Sequence, residues 1–467
     1  CCSAGRGLTG RALRPAGAKG RRAGAKEAPG VGMEFQKVSI DQGFDLYVAP
    51  TDKFKTTWLK LVLRRSLNAD EHSLNAVLPF VLRRGTRRHP TARDIARCME
   101  ELYGAQFGAD VGKIGETQQI ELGASVADEQ FLPERIGSTE KVVAFLAEAL
   151  LDPALENGVF RAEYVTQEAE ILRRRIESLI NDRRRYAVNR LREEMCKDEP
   201  FGLNAYGDVE QLRRVTPEGL YEHYRNVLET SPVDMFVVGP VDPDEAAAMV
   251  RRHFRLPRGR IRQPGPVVVR TPGKERTVVE HRDVQQGVLV MGLRTGVRYP
   301  DDDYPALQVY NGILGAFPHS KLFVNVRERA SLAYYTWSQL EGTKGVMMIT
   351  AGIAVEKYRQ ALGIVREQLE AVAAGDVTDA ELEQTKKGLI NALLSGRDSP
   401  SRIMGSRLLG IINGRLRPVD EHIEELKAVT VEDVRRVAAR VRPDTIYFLR
   451  SPEGNGPDAA PGPGAVR

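Results

Sequence analysis

The sequence predicts an α+β fold made of two homologous halves, and three observations carry that expectation. Short strand-like stretches are interspersed with amphipathic stretches of helical period along most of the chain. The pattern Val209-Glu210-Gln211-Leu212-Arg213-Arg214-Val215-Thr216-Pro217-Glu218 returns 214 residues later as Ile423-Glu424-Glu425-Leu426-Lys427-Ala428-Val429-Thr430-Val431-Glu432, with seven of ten positions matched by type. Each copy leads into an amphipathic helix (220–228 or 434–441) and then an apolar strand (234–238 or 445–449), so the Val-Thr-x-Glu helix start is repeated together with its sequel. Between the copies, Pro257, Gly259, Pro264, Gly265 and Pro266 stand among basic residues, which is linker chemistry.

Taken in order, residues 1–32 are rich in Gly, Ala and Arg, lack an apolar h-region and precede the first methionine, Met33. They are expected to be a disordered leader or an upstream mis-start. The first half spans 33–255. Within it, 44–48 alternates as a strand and 58–63 is a second, more apolar one. Thr91 can cap a helix over 92–103, which places Ile95, Met99 and Leu102 on one face before Gly104 stops it. Residues 106–111 and 118–126 read as a hairpin around 112–115. Helices return at 139–151 and over a long run from 160 to 195. The linker is placed at 256–272, the second half at 273–452, and the Gly- and Pro-rich 453–467 is expected to be a disordered tail.

Composition narrows the function. A chain of 467 residues with 42% apolar and 28% charged residues has ordinary globular values, against disordered, collagen-like or membrane-spanning classes. The formal charge of +5 is local: residues 1–32 hold seven basic residues and one acid, leaving 61 basic against 62 acidic residues in the remainder. A balanced body of this kind does not advertise a nucleic-acid partner. The Arg clusters 83–84, 87–88, 173–175 and 183–185 are interleaved with Glu163, Glu168, Glu170, Glu177 and Asp182, and such alternation reads as a solvated helix face. Four scattered cysteines fit a reducing compartment, hence the cytoplasm, and no run of eighteen apolar residues offers a membrane span. Phosphate loop, nucleophile elbow and dinucleotide fingerprint are missing. No two of the seven histidines lie closer than 17 residues, so a His-x-x-x-His metal site is excluded and no cofactor is expected.

The stretch Leu78-Pro79-Phe80-Val81-Leu82-Arg83-Arg84-Gly85-Thr86, followed by Pro90-Thr91-Ala92 and a helix ending Tyr103-Gly104-Ala105, resembles the pitrilysin and insulinase-type (inverzincin) peptidases. The resemblance runs from Met33 to Pro452. Glu101-Leu102-Tyr103-Gly104-Ala105 is similar in particular to a zinc-less bacterial subgroup named for association with modification of elongation factor P. Membership implies two halves, each a mostly antiparallel sheet with helices on one face, closing like a clamshell. In the family a helix before the Gly-Thr carries His-x-x-Glu-His, whose histidines bind zinc and whose glutamate activates the bound water. Counting back from Gly85-Thr86 puts those roles on Ala76, Pro79 and Phe80, none of which can perform them. The third ligand, seven residues after a supporting glutamate, falls on Arg175 if that glutamate is Glu168. Glu168 is thus the one retained support, unless it is simply a solvated acid on a charged helix.

The second half retains what the family uses on the substrate side. Leu322-Phe323-Val324-Asn325-Val326-Arg327-Glu328-Arg329-Ala330-Ser331-Leu332-Ala333-Tyr334 is similar to the family stretch whose Arg and Tyr reach substrate held at the zinc site of the other half or subunit. Arg327 and Tyr334 match that pair; the blander alternative is a surface ion-pairing arginine and a half-buried strand tyrosine. The glycines that often precede this stretch are reduced to Gly315, and Ala330-Ser331 replaces the usual Arg-Gly. The resemblance implies a non-catalytic subunit of a zinc metalloendopeptidase-type heterodimer, with a zinc-bearing paralogue as partner and a peptide or small protein as substrate. A peptide-binding or scaffolding protein, hydrolytic in no assembly, is the alternative.

Overall fold

The first-half strands follow the expected order and lengthen at their ends. They are β1 (Gln36–Asp41), β2 (Phe44–Pro50), β3 (Thr56–Ser66), β4 (Gln106–Ile114) and β5 (Thr117–Ala127); β6 (Leu155–Glu156) and β7 (Val159–Phe160) make a two-residue hairpin of their own. With β8 (Val233–Gly239) the long strands form a sheet in the order β1-β2-β8-β3-β5-β4. The second half supplies β9 (Arg276–His281), β10 (Gly287–Arg294), β11 (Ala333–Glu341), β12 (Val346–Ile353) and β13 (Arg442–Arg450), ordered β11-β12-β10-β13-β9. Read from the other edge, the second order reproduces the first from β2 onward. Each sheet is antiparallel except for one parallel pair, β2 with β8 and β13 with β9, at matching positions. The duplication read from the 214-residue repeat is therefore a duplication of topology. The structure, a computed structural model, describes residues 34–452, so the expected leader and tail lie outside the described residues.

The helices of the first half are α1 (His72–Leu82), α2 (Ala92–Glu101), α3 (Ser138–Leu151), α4 (Ala162–Glu177), α5 (Arg183–Met195), α6 (Val209–Leu212), α7 (Pro217–Thr230) and α8 (Pro243–His253). Those of the second are α9 (Tyr304–Asn311), α10 (Tyr358–Ala374), α11 (Asp379–Gly396), α12 (Pro400–Asn413), α13 (Val419–Ala428) and α14 (Val431–Ala438). Thr91 caps α2 through a reciprocal box with Asp94, as the spacing predicts. The expected run 160–195 breaks into α4 and α5 because Asp182 leaves helical geometry and its carboxylate accepts from the Arg185 amide at 3.1 Å, starting a new helix. The repeated Thr216 and Thr430 both cap, one for α7 and one for α14. No helix among the described residues is long and apolar enough to cross a membrane.

Each sheet packs its own helices on one face. Leu46, Leu59, Leu61 and Leu122 meet α1, α3 and α7 in the first half; Leu289, Met291 and Ile349 meet α9, α10 and α14 in the second. The opposite face of each sheet receives one helix from the other half. Tyr47, Val62, Phe236 and Val238 of the first sheet bury Met404 and Leu408 of α12. Val288, Val290, Tyr447 and Leu449 of the second sheet bury Ala187 and Leu191 of α5. Where α5 crosses β10 the strand is bare at Gly292, whose Cβ would stand 2.6 Å from Met195 Sδ. Burial on both faces explains why β8 and β10 are enclosed throughout and, apart from Asp234 and Arg294, apolar rather than alternating.

The two equivalent hairpins meet tip to tip. Gly115, at φ +56, turns β4 into β5, and a Cβ there would lie 2.5 Å from Thr343 Cγ2 in the turn between β11 and β12. Beside this contact Lys344 is enclosed, its Nζ 2.6 Å from Glu116 and 2.5 Å from Glu199. Arg294 completes the cluster with bonds to Glu199 at 2.5 Å and Asp444 at 3.0 Å.

Candidate functional site

Helix α1 carries Ala76, Pro79 and Phe80, the positions on which the sequence resemblance puts the metal ligands and the catalytic glutamate. All three are buried on it. Pro79 lacks the amide that would bond the Asn75 carbonyl, so one bond of the helical ladder is missing there. Asn75 donates to Gln118 at 3.0 Å, and its oxygen lies 2.8 Å from His223 Nε2. Burial and the nearby Arg65 press His223 down to about 4, so it stands neutral at physiological pH. The ring of Phe80 lies 5.7 Å from the Arg83 guanidinium.

Helix α4 packs against α1 and holds the other two sequence-predicted positions. Glu168 is 2% exposed, so it is no solvated acid. Its carboxylate lies 3.5 Å from Arg84 Nε, while Arg84 also bonds Gln167 and covers the Tyr164 ring at 5.1 Å. Burial raises the Glu168 pKa, against the opposing pull of Arg84 and Arg83. Seven residues on, about 10 Å along the helix, Arg175 is exposed; it lies 3.9 Å over the Tyr206 ring and donates to the Tyr206 hydroxyl at 2.7 Å. Among the described residues no group of three or more His, Cys, Asp and Glu side chains gathers in a way that could hold a metal. One buried carboxylate engaged by a guanidinium, a methyl, a pyrrolidine and a phenyl ring are not a donor set for zinc.

Arg327 and Tyr334 lie at one edge of the second sheet. Arg327 belongs to a π-helical turn, Phe323–Arg329, a conformation that recurs at functional positions. It is exposed, lies 4.6 Å over the Phe323 ring and makes no ion pair among the described residues. Ser331, which replaces the family glycine, takes φ +51, so the loop keeps a glycine-type conformation despite its side chain. Just beyond it, Ala333 pairs with Ile353 and Tyr335 with Gly352, which leaves Tyr334 as the extra residue of a β-bulge. A bulge re-aims the side chain it releases, and Tyr334 is 63% exposed instead of half-buried.

The sequence-predicted residues thus fall into two groups, the degenerate positions on α1 and α4 and the exposed pair on the π-turn and β11. Arg184 of α5 connects the two halves. It lies 3.9 Å over the Trp337 ring and 6.0 Å from Tyr335. Reading every Arg cluster as a solvated face misses this residue, although Arg173 and Arg174 do pair with Glu170 and Glu177 as expected. The signal that could have found it is the spacing of Ala187, Leu191 and Met195, an apolar stripe on an otherwise charged helix.

Comparison with known proteins agrees with this geometry. A profile of the Peptidase M16 inactive domain matches residues 214–389. A protein of Bacillus subtilis named probable inactive metalloprotease YmfF is 35% identical over 415 residues, covering 88% of this chain and 97% of its own. An uncharacterized zinc protease of Mycobacterium tuberculosis is 28% identical over 63% of this chain and 68% of its own. The crystal structure of a conserved protein from Enterococcus faecalis superposes with a TM-score of 0.83 at 29% identity, covering 91% of this chain and all of that one. With both halves matched and the metal positions degenerate, the chain belongs to the pitrilysin-like M16 peptidase family, as a zinc-less homologue of the inactive type.

Proposed function

We propose that the chain is the non-catalytic subunit of a zinc metalloendopeptidase-type heterodimer. In that assembly Arg327 and Tyr334 reach the chamber of a zinc-bearing paralogous subunit and hold a peptide or small protein substrate there. The observation that carries the reading is the asymmetry between the two groups: side chains without metal-binding capacity stand at Ala76, Pro79 and Phe80 of α1, whereas Arg327 is exposed without a carboxylate partner among the described residues and Tyr334 is projected by a bulge. A guanidinium and a phenol are donors only or chiefly donors toward a peptide carbonyl, and their bonds strengthen as negative charge develops on its oxygen. This chain positions the substrate; the partner supplies the metal and the attacking water. The free thiols Cys98 and Cys196 support a reducing compartment such as the cytoplasm.

The test is turnover of a zinc-competent paralogue from the same genome on a fluorogenic peptide, with and without this chain. Addition of the chain is expected to raise kcat/KM, and Arg327→Ala or Tyr334→Phe to remove about tenfold or more of that gain. A paralogue whose turnover is the same with the chain, with either variant and without it rejects the subunit reading and leaves a scaffold.

A further inference from the structure

Many arginines of this chain are held by carboxylates, as Arg173 is by Glu170 and Glu177. A second set is held by aromatic rings. Arg175 stacks on Tyr206, and Arg185 stands within electrostatic reach of the same phenol. The preceding residue, Arg184, crosses to the other half and stacks on Trp337. Where the π-turn meets β11, Arg327 stacks on Phe323, seven residues before the projected Tyr334. Among the described residues none of these four arginines makes an ion pair, and all but Arg184, which is half-buried, are exposed. The nearby acids Asp110 and Asp182 are turned to their own backbone, accepting from the Val111 and Arg185 amides at 2.9 and 3.1 Å; Glu328 is exposed beside Arg327.

A guanidinium lying on a ring keeps most of its in-plane N–H donors available, Arg175 giving one to the Tyr206 hydroxyl, and the remaining donors match a carboxylate in bidentate geometry. Stacking also immobilises the side chain, so less rotamer entropy is lost when an anion arrives. Arg184 and Arg327 flank β11, the terminal strand of its sheet, whose outer N–H and C=O groups have no strand partner among the described residues. A row of alternating N–H and C=O groups is matched in full by a polypeptide, whereas a phosphodiester backbone can accept from the N–H groups but offers no donor to the C=O groups. We propose that the arginine-aromatic tract from Arg175 through Arg184 to Arg327 binds an acidic polypeptide segment, its carboxylates seated on the stacked guanidiniums. This rests on the reading of Arg327 and Tyr334 as substrate-side residues and adds the chemistry of the substrate.

The experiment uses the full chain carrying Trp58→Phe, which leaves Trp337 as the only indole of the two in the sequence. A labelled Glu/Asp-rich peptide is titrated by anisotropy alongside Trp337 emission, in parallel with the same peptide bearing Lys for each acid and with an oligothymidylate of equal length. The acidic peptide is expected to bind, to change Trp337 emission and to weaken with salt. The triple variant Arg175→Gln, Arg184→Gln, Arg327→Gln should weaken binding about tenfold or more. If the triple variant loses its fold, Arg327→Gln alone, at an exposed position, is expected to weaken binding about threefold. Equal binding of the Lys peptide, preference for the oligothymidylate, absence of binding, or affinity unchanged in the variants overturns the proposal. No paralogue is present in this assay, so its failure is separate from failure of the subunit reading, which is read from paralogue turnover.

Discussion

Lys344→Met tests whether the halves are locked together at the hairpin tips. The Lys344 side chain is 0% exposed and its ammonium is shared by Glu116 of the first-half hairpin, Glu199 after α5 and the Val268 carbonyl. At an effective dielectric of about 20, each carboxylate contact at 2.5–2.6 Å carries an attraction of about 6 kcal/mol. Relief of the ammonium's own burial penalty, several kcal/mol, offsets part of this when the charge is removed. Glu199 keeps Arg294 at 2.5 Å, but Glu116 keeps only the Val268 amide at 2.9 Å and then faces a second carboxylate without a cation between them. The net loss is expected to be about 3–5 kcal/mol, the usual effect of deleting one partner of a buried pair. Urea unfolding at pH 7 measures it, with Trp58 in β3 reporting the first sheet and Trp337 in β11 the second. Adding Glu116→Gln to Lys344→Met should recover part of the loss, giving a coupling energy above about 1 kcal/mol. A Lys344→Met variant within about 1 kcal/mol of wild type, with no recovery from the second change, would refute the reasoning.

Two further outcomes concern the degenerate metal positions. Burial holds the Glu168 carboxyl above its ordinary value of 4.5, so the folded state binds this proton more tightly than the unfolded state. Its contribution to stability is complete below pH 4.5 and is lost as pH rises through the raised folded value. Glu168→Gln is therefore expected to raise the thermal midpoint at pH 7 and to leave it nearly unchanged at pH 4; a midpoint lowered at pH 7 would show that the Arg84 pairing outweighs the burial cost. Elemental analysis of protein purified from Met33 onward is expected to find essentially no zinc, whereas about one tightly held zinc per chain would overturn the placement of Ala76, Pro79, Phe80 and Arg175.

Much of the architecture was legible wherever local chemistry is decisive. The hairpin over 106–126, the Thr91 cap and the repeated Thr216 and Thr430 caps depend on turn residues and side-chain oxygens a few positions apart, and they stand close to where the spacing puts them. Boundaries inside charged helices were less legible: the Arg-rich run 160–195 has good helix formers on both sides of Asp182, and the break follows from one carboxylate capping a new start. Glu168 was ambiguous because its sequence neighbours are charged. Its burial follows from the seating of α4 against α1 and from Arg84, 84 positions earlier than Glu168 in helix-to-helix order and distant from it along the chain.

The sequence by itself determined the α+β class and the duplication, and it set the expectation that metal-binding side chains are lost at Ala76, Pro79, Phe80 and Arg175 and that Arg327 and Tyr334 are retained. These are statements about residue type and spacing, which a chain carries without folding. Only the tertiary structure decided that α5 and α12 are exchanged between the halves, that Lys344 of the second half sits enclosed among carboxylates of the first, and that Arg184 lies on Trp337 rather than in solvent. An apolar stripe such as Ala187, Leu191 and Met195 states that one face of a helix must leave water, but the surface that covers it comes from strands about a hundred or more residues later, and only packing selects that partner.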